Sequence, residues 1–271
     1  MPLYLPGNVT RSYSLVGSSD DRRRLTIVVK KLPNGTGSTF LHEKVAVGSA
    51  LEIGLPANSF RLHEDAPYTV LVAGGIGITP IYTMARRLDD LGLPWRLHYA
   101  VRSRAHAALL DELPAPGTGE IHLHSADDGG RLKLSDVFCD APPGTHFYCC
   151  GPTAMLDEFL ASAPDRDFAH VERFVGLDGE VNSAGCSVTL ARSGLTVIVP
   201  PGTSILEVLE KQGVKVPHSC RSGLCGACET RVLSGVPDHK DFVLDEEQRA
   251  SNEIMMICCS GALSKSLTLD L

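Results

Sequence analysis

His218-Ser-Cys-Arg-Ser-Gly-Leu-Cys-Gly-Ala-Cys-Glu229 sets Cys220, Cys225 and Cys228 in a C-x4-C-x2-C array, and Cys258 follows after 29 further residues. This is the plant-type spacing of a [2Fe–2S] cluster. Such a cluster needs four thiolates, two per iron. Three on one short loop can wrap it, and a fourth from a distant strand closes it. Gly223 and Gly226 let the backbone come close enough for N–H groups to point at the sulfurs. A structural zinc site is the competing reading, but zinc loops usually carry two C-x2-C pairs and only one is present. Buried free thiols are the other alternative. The gap length favours Cys258 over Cys259, which would point to the opposite face of a strand. Nine cysteines, an odd number without an export signal, argue against a disulfide framework.

Around this loop, residues 184–271 read as an α+β unit. A hairpin over 186–191 and 195–199 leads into a helix over 205–212. Ser204 and Glu207 are expected to form a capping box, and Gly213 to end the helix.

Upstream, residues 66–180 alternate strand and helix, the pattern of a parallel sheet with helices on its faces. Strands are expected over 68–73, 96–101, 120–124, 146–149 and 168–174, and helices over 80–91, 105–113 and 154–162. Ile81, Met84, Leu88 and Leu91 fall on one helical face, with Thr79 as expected N-cap and Gly92 as stop. Residues 177–182 read as a linker. Residues 1–65 alternate apolar and polar side chains in short runs, notably 11–16 and 24–31, separated by turn residues such as Pro33, Asn34 and Gly35. That is β-barrel or sandwich texture.

The whole is 271 residues with 43% hydrophobic and 21% charged side chains, a mix that excludes a disordered chain. No apolar run approaches the roughly 18 residues of a membrane span. The start, MPLYLPGNVTRSYSL, lacks a basic then apolar leader, which points to a cytoplasmic protein. A net charge of −7 argues against nucleic acid as partner.

Two further motifs each join a strand to a helix. Ala73-Gly-Gly-Ile-Gly-Ile-Thr-Pro80 is a glycine-rich turn that could cradle a pyrophosphate at a helix N-terminus, although it is not G-x-G-x-x-G. About 75 residues later comes Tyr148-Cys-Cys-Gly-Pro-Thr-Ala-Met155. A third motif, Arg11-Ser-Tyr-Ser-Leu15, gathers a guanidinium and small hydroxyls, as an anionic phosphate requires.

Together these motifs resemble the phthalate dioxygenase reductase family, the FMN-, NADH- and [2Fe–2S]-dependent reductase components of two-component Rieske oxygenases. The resemblance spans nearly the whole chain and implies three domains: an FMN-binding β-barrel over 1–65, an NAD-binding α/β domain over 66–180 and a plant-type ferredoxin domain over 184–271. The family carries several strands ahead of R-x-Y-S-L where this sequence has ten residues, so an N-terminally short barrel is expected.

Residue by residue, the resemblance implies flavin contacts from Arg11, Ser12, Tyr13 and Ser14, from Val28, Val29 and Lys30, and from a Gly37-Ser38-Thr39 loop. Dinucleotide contacts would come from Gly74, Gly75, Ile76, Gly77, Thr79 and Pro80, with Thr79 also touching the flavin. Cys150, Gly151, Pro152 and Met155 would lie beside the nicotinamide, and Phe174 would pack on the flavin ring. Cys220, Cys225, Cys228 and Cys258 would hold the cluster. Asp127 lies where a 2′-phosphate would otherwise sit, which favours NADH over NADPH. No residues remain for an adenine half of the flavin, which favours FMN over FAD.

The implied partner is a terminal oxygenase served by a monomeric reductase, with Asp238, Asp241, Asp245, Glu246 and Glu247 available to steer it. A reductase for a cytochrome P450, or a ferredoxin-like carrier with a defective flavin site, are the rival readings. The chemistry is cofactor-borne, so the ten histidines receive no catalytic role.

Overall fold

The computed structural model describes residues 1–271 apart from 7–8, 18–22, 34, 115–116, 118, 175–183, 219–220, 222 and 224–225. Two expected cluster ligands, Cys220 and Cys225, and the 177–182 linker therefore lie outside the described residues. The chain divides into two compact units, Met1–Phe174 and Val175–Leu271.

In the first unit, β1 (Pro2–Leu5), β2 (Val9–Ser12) and β3 (Glu52–Ile53) form an antiparallel sheet in the order β2-β1-β3. Helix α1 (Thr36–Glu43) lies between β2 and β3 in sequence. Two sequence expectations are corrected here. Residues 24–31 form no strand; they contribute only a bridge, Leu15 to Ile27, and the Val29 carbonyl is taken by His42 Nε2 at 2.8 Å. Gly37, Ser38 and Thr39 lie in the first turns of α1 rather than in a loop.

The parallel sheet follows: β4 (Thr69–Gly74), α2 (Ile78–Asp90), β5 (Trp95–Val101), β6 (Gly119–Ser125), α3 (Leu134–Val137), β7 (His146–Cys150), α4 (Thr153–Ser162) and β8 (Ala169–Glu172), with strand order β6-β5-β4-β7-β8. β4 is buried along its whole length, as a central parallel strand covered on both faces must be. Its period of two sorts the core. Leu71 and Ala73 pack with Ile81, Ala85 and Leu88 of α2; Val70 and Val72 pack with Val137 of α3 and with Leu156 and Phe159 of α4.

Two further expectations fail in this sheet. Thr79 does not cap α2; Gly77 is the N-cap and the Thr79 hydroxyl donates to the Ile76 carbonyl at 3.2 Å. The helix expected over 105–113 is a single 3-10 turn, Arg104–His106. The Tyr99 hydroxyl donates to the Ala108 carbonyl at 3.1 Å, and Leu109 turns left-handed at φ 59°, so α-helix cannot propagate.

The second unit is a mixed sheet of β9 (Cys186–Leu190), β10 (Thr196–Val199), β11 (Glu229–Ser234), β13 (Ile254–Met256) and β15 (Ser266–Leu269), in the order β10-β9-β15-β11-β13. Helix α5 (Ile205–Lys211) buries Ile205, Leu206, Val208 and Leu209 in the core that this sheet shares. A small ladder joins β12 (Pro237–Asp238) to β14 (Gly261–Ala262), and α6 (Glu246–Ser251) precedes β13. The capping box expected at α5 is one-sided: Ser204 accepts from Glu207 N, while the Glu207 carboxylate pairs with Lys211 at 2.7 Å. The reciprocal box occurs instead at α6, between Asp245 and Gln248.

Candidate functional site

The chain leaves β4, runs to β5 and β6 on one side, and returns to β7 on the other. The gap between the C-terminal ends of β4 and β7 is therefore the topological switch point, where open α/β sheets bind ligands. Both glycine motifs end there. A Cβ on Gly77 would stand 2.1 Å from the Cys150 carbonyl oxygen, and one on Gly74 would stand 2.7 Å from both Met155 Sδ and Pro152 Cδ. A Cβ on Gly151 would stand 2.7 Å from Met155 Sδ. The two turns pack backbone to backbone, and only glycine permits it. Gly75, at φ 54°, makes the reversal that precedes α2. The N-terminus of α2, which has no side-chain cap, fits the pyrophosphate of a dinucleotide.

Cys150 is fully buried, and burial pushes its thiol well above the ordinary range. It is thus a neutral packing group, unsuited to covalent chemistry. Asp127 sits in the turn after β6, its carboxylate accepting from Ser125 Oγ and its N–H donating to the Arg102 carbonyl at 3.1 Å. Phe174 ends the unit two residues beyond β8, 41% exposed, with its ring open to stacking.

The R-x-Y-S-L segment is tied to this sheet. Thr83 Oγ1 of α2 donates to the Leu15 carbonyl at 3.0 Å, and Val16 N donates to Thr26 O at 2.8 Å. Arg11 is exposed, and its stem lies against the first turn of α1, where a Cβ on Gly37 would stand 2.8 Å from Arg11 Cγ. The N-cap, Gly35, offers no side chain to the first-turn N–H groups. The Arg11 guanidinium donates to the Thr10 carbonyl at 2.8 Å and is exposed, so a flavin phosphate could draw on it together with the first-turn N–H groups of α1. Ser38 serves the fold, accepting from Leu32 N at 3.1 Å and donating to Gly35 O at 3.2 Å. Val28, Val29 and Lys30 run beside α1, held by the His42 contact and by the Lys31–Glu43 ion pair at 2.7 Å.

Glu172 was not legible as a site residue. It stands opposite Cys150 in the β7–β8 register and accepts from Ser14 Oγ at 3.4 Å, joining the flavin motif to the sheet. Burial raises its pKa to about 6 from 4.5. The folded protein therefore binds this proton more tightly than the unfolded chain does. Its contribution is fully favourable below about pH 4.5 and is lost as pH rises through about 6. Glu172→Gln should raise stability at pH 7.5 by up to about 2 kcal/mol and change it little at pH 4. Urea unfolding at both pH values checks this; an equal effect at both would contradict it.

In the second unit, Cys228 and Cys258 are both nearly fully buried. Gly223 N donates to Cys258 Sγ at 3.3 Å, so the loop already supplies one of the N–H···S bonds that a cluster ligand needs. Gly223 and Gly226 adopt φ 69° and 73°. Arg221 anchors the loop to α5 through a paired bond to Glu210, at 2.8 and 2.7 Å. A buried thiol aligned to a backbone donor within a C-x4-C-x2-C loop fits [2Fe–2S] ligation. Cys258 and Cys259 lie in a turn just after β13, not on a strand as the sequence suggested. Cys259 Sγ packs against Gly223 and donates to the Met256 carbonyl at 3.5 Å.

One of the expected steering carboxylates is corrected. Asp241 is buried; its Oδ2 accepts from Val243 N at 3.1 Å and Leu244 N at 2.9 Å. Asp238 pairs with Lys240 at 3.0 Å, and Glu246 and Glu247 remain exposed. Asp241 backs the loop, since a Cβ on Gly223 would stand 2.9 Å from Asp241 Cα. Asp241→Ala strands two backbone donors and should cost about 2–3 kcal/mol. Faster bleaching of the loaded protein by an iron chelator is the readout, and an unchanged rate would contradict this role.

Residues 3–62 match the oxidoreductase FAD-binding domain family, and residues 188–263 match the 2Fe-2S iron-sulfur cluster binding domain family. Phenoxybenzoate dioxygenase subunit beta of Ectopseudomonas oleovorans is 48% identical over 273 residues, covering 99% of this chain and 85% of that one. The solved phthalate dioxygenase reductase is 38% identical with a TM-score of 0.77, covering 100% of this chain and 86% of that one. An intact type IV self-sufficient cytochrome P450 monooxygenase is 38% identical with a TM-score of 0.78; all of this chain matches 36% of it. These likenesses bear out the expected fold class, a flavin-binding barrel domain, a parallel-sheet nucleotide-binding domain and a ferredoxin domain. The chain belongs to the phthalate dioxygenase reductase family, oxidoreductases that carry a flavin and a [2Fe–2S] cluster.

Proposed function

We propose that the chain is a reductase component that takes electrons from NADH and passes them, through FMN and the [2Fe–2S] cluster, to a terminal oxygenase. The observation that carries this is the backbone packing of the Gly74–Gly77 turn on Cys150 and Gly151 at the switch point. It supports a dinucleotide held at the N-terminus of α2, the helix whose Thr83 bonds the Leu15 carbonyl that ends the segment bearing Arg11, Ser12, Tyr13 and Ser14. When bound, the flavin supplies the conversion between two-electron and one-electron transfer, which nicotinamide lacks. The protein's task is placement: α2 offers its N-terminus to the pyrophosphate, and Cys150, Pro152 and Met155 wall the nicotinamide. Phe174 covers the flavin ring, and Arg11 with the first turn of α1 grips the phosphate. Cys220, Cys225, Cys228 and Cys258 hold the cluster.

The domain limits 1–65, 66–180 and 184–271, a monomeric state and a cytoplasmic location belong to the same reading. Among the described residues no helix is long and apolar enough to cross a membrane. Arg11→Ala should weaken FMN binding about tenfold to a hundredfold, the worth of a charge-assisted phosphate contact. Fluorescence titration of flavin-free protein measures it, and unchanged affinity would remove Arg11 from the site.

A cytochrome P450 as acceptor is the second reading, favoured by the likeness to the self-sufficient monooxygenase. Anaerobic stopped-flow mixing tests the main proposal. NADH should bleach flavin and then cluster absorbance within one molecule, and NADPH should do so far more slowly. Cluster absorbance that ignores both nucleotides would reduce the chain to a carrier. Adding a Rieske oxygenase or a P450 in a second mix identifies which class accepts the electrons.

A further inference from the structure

Six of the ten histidines fall into two groups of three. His63, His146 and His170 converge at the N-terminal end of the parallel sheet, each offering a ring nitrogen, and these nitrogens lie within 4.8 Å of one another. Among the described residues this is the one group of three metal-ligating side chains so close. We propose that His63, His146 and His170 form a binding site for a late first-row divalent cation such as Ni²⁺ or Zn²⁺, separate from the redox centres.

Register brings the three together. His146 and Tyr148 are two residues apart on β7 and share a face, and His170 of β8 pairs with Tyr148 in the parallel ladder. The His170 ring stacks on Tyr148 at 4.6 Å between centroids, which fixes its plane. His63 comes from the segment before β4; its ring stacks on His146 at 4.4 Å, and its backbone N–H donates to the Tyr148 hydroxyl at 2.9 Å. His146 Nδ1 and His170 Nε2 are 2.8 Å apart. Zinc–nitrogen bonds of about 2.0–2.1 Å in tetrahedral geometry need nitrogens about 3.3 Å apart, so modest side-chain rotation closes the site.

A neutral imidazole offers the ring-nitrogen lone pair that a metal takes. Burial and its histidine neighbours lower the His170 pKa to about 4, and burial also lowers that of His146. Asp65 lies close enough to act electrostatically on His146 and offsets part of a cation's charge. His63 is exposed, which leaves an entry path and room for water as a fourth ligand. Three imidazoles with an open position suit nickel, copper and zinc. His146 opens β7 while Cys150 closes it, about 13 Å away along the strand, so the site is clear of the dinucleotide turn. A bound ion would staple the segment ahead of β4 to the β7–β8 edge.

The test uses untagged protein with flavin and cluster loaded, titrated with Ni²⁺ alone by calorimetry and equilibrium dialysis. Cluster absorbance is followed throughout, so binding at the cysteines declares itself. One Ni²⁺ per chain is expected with absorbance unchanged. His63→Gln, on the exposed segment, and His146→Gln should each weaken binding at least about tenfold. His98→Gln is the control. His98 belongs to the other histidine group, paired with His124 at 3.1 Å and stacked on His122 at 5.2 Å, and its loss should change nothing. No site tighter than about 1 mM, equal affinity in the His63 and His146 variants, or nickel uptake that bleaches the cluster would overturn the proposal.

Discussion

Gly77→Ala is expected to lower NADH-driven flavin reduction at least about a hundredfold while leaving the cluster absorbance intact. Gly77 has ordinary helical dihedrals, φ −60° and ψ −6°, so alanine meets no backbone strain. The obstacle is space. The added methyl would lie 2.1 Å from the Cys150 carbonyl oxygen, 2.5 Å from its carbon and 2.9 Å from Gly151 N. All three are main-chain atoms of β7 and the turn after it, and β7 is hydrogen-bonded between β4 and β8. Neither side can yield by a side-chain rotation, so the two turns must part by about 1 Å. A displacement of that size at a reacting centre costs about two orders of magnitude. Gly75→Ala is the informative contrast. At φ 54° it pays a left-handed penalty of about 1–2 kcal/mol, but its Cβ would meet open space. Its effect should be a modest loss of stability. Stopped-flow reduction of the two variants separates them, and equal rates would contradict the packing account.

Cys258→Ala is expected to abolish cluster assembly, and Cys259→Ala to preserve it. The two thiols are adjacent and both buried, so burial does not distinguish them. Their hydrogen bonds do. Cys258 Sγ accepts from Gly223 N, the role of a ligand thiolate, whereas Cys259 Sγ donates to the Met256 carbonyl, the role of a protonated thiol. Losing one of four ligands opens the cluster to solvent, so visible absorbance and iron content should both vanish. Losing Cys259 removes one buried sulfur that packs against Gly223 and should cost about 1–2 kcal/mol. Iron and sulfide assays on both purified variants are decisive; a colourless Cys259→Ala protein beside a coloured Cys258→Ala protein would reverse the assignment.

How far the sequence carried differs from element to element. β4 and the turn after it were legible because a short apolar run followed by glycines admits few structures. Cys220, Cys225, Cys228 and Cys258 stand out in the sequence as candidate ligands because their spacing is a pattern that residue order alone displays. The helix expected over 105–113 failed because its fate is decided by Tyr99 of the preceding strand β5, whose hydroxyl captures the Ala108 carbonyl. α1 was hidden because Gly35, Gly37 and Ser38 read as turn residues, although packing against Arg11 and Leu5 makes the helix. Asp241 looked like one more surface acid and is instead a buried acceptor, set by backbone donors two and three residues on. Glu172 and the His146–His170 pair are set by strand pairing, and His63 reaches them from the segment before β4, which no local pattern encodes.

The most direct test of the central claim is electron paramagnetic resonance of the purified, flavin- and cluster-loaded protein frozen after anaerobic addition of NADH. The account requires two irons and two sulfides per chain and a reduced [2Fe–2S] signal that NADH alone generates, absent from Cys258→Ala and delayed in Gly77→Ala. A protein that carries zinc in place of iron, or whose cluster responds to dithionite but never to NADH, would contradict it.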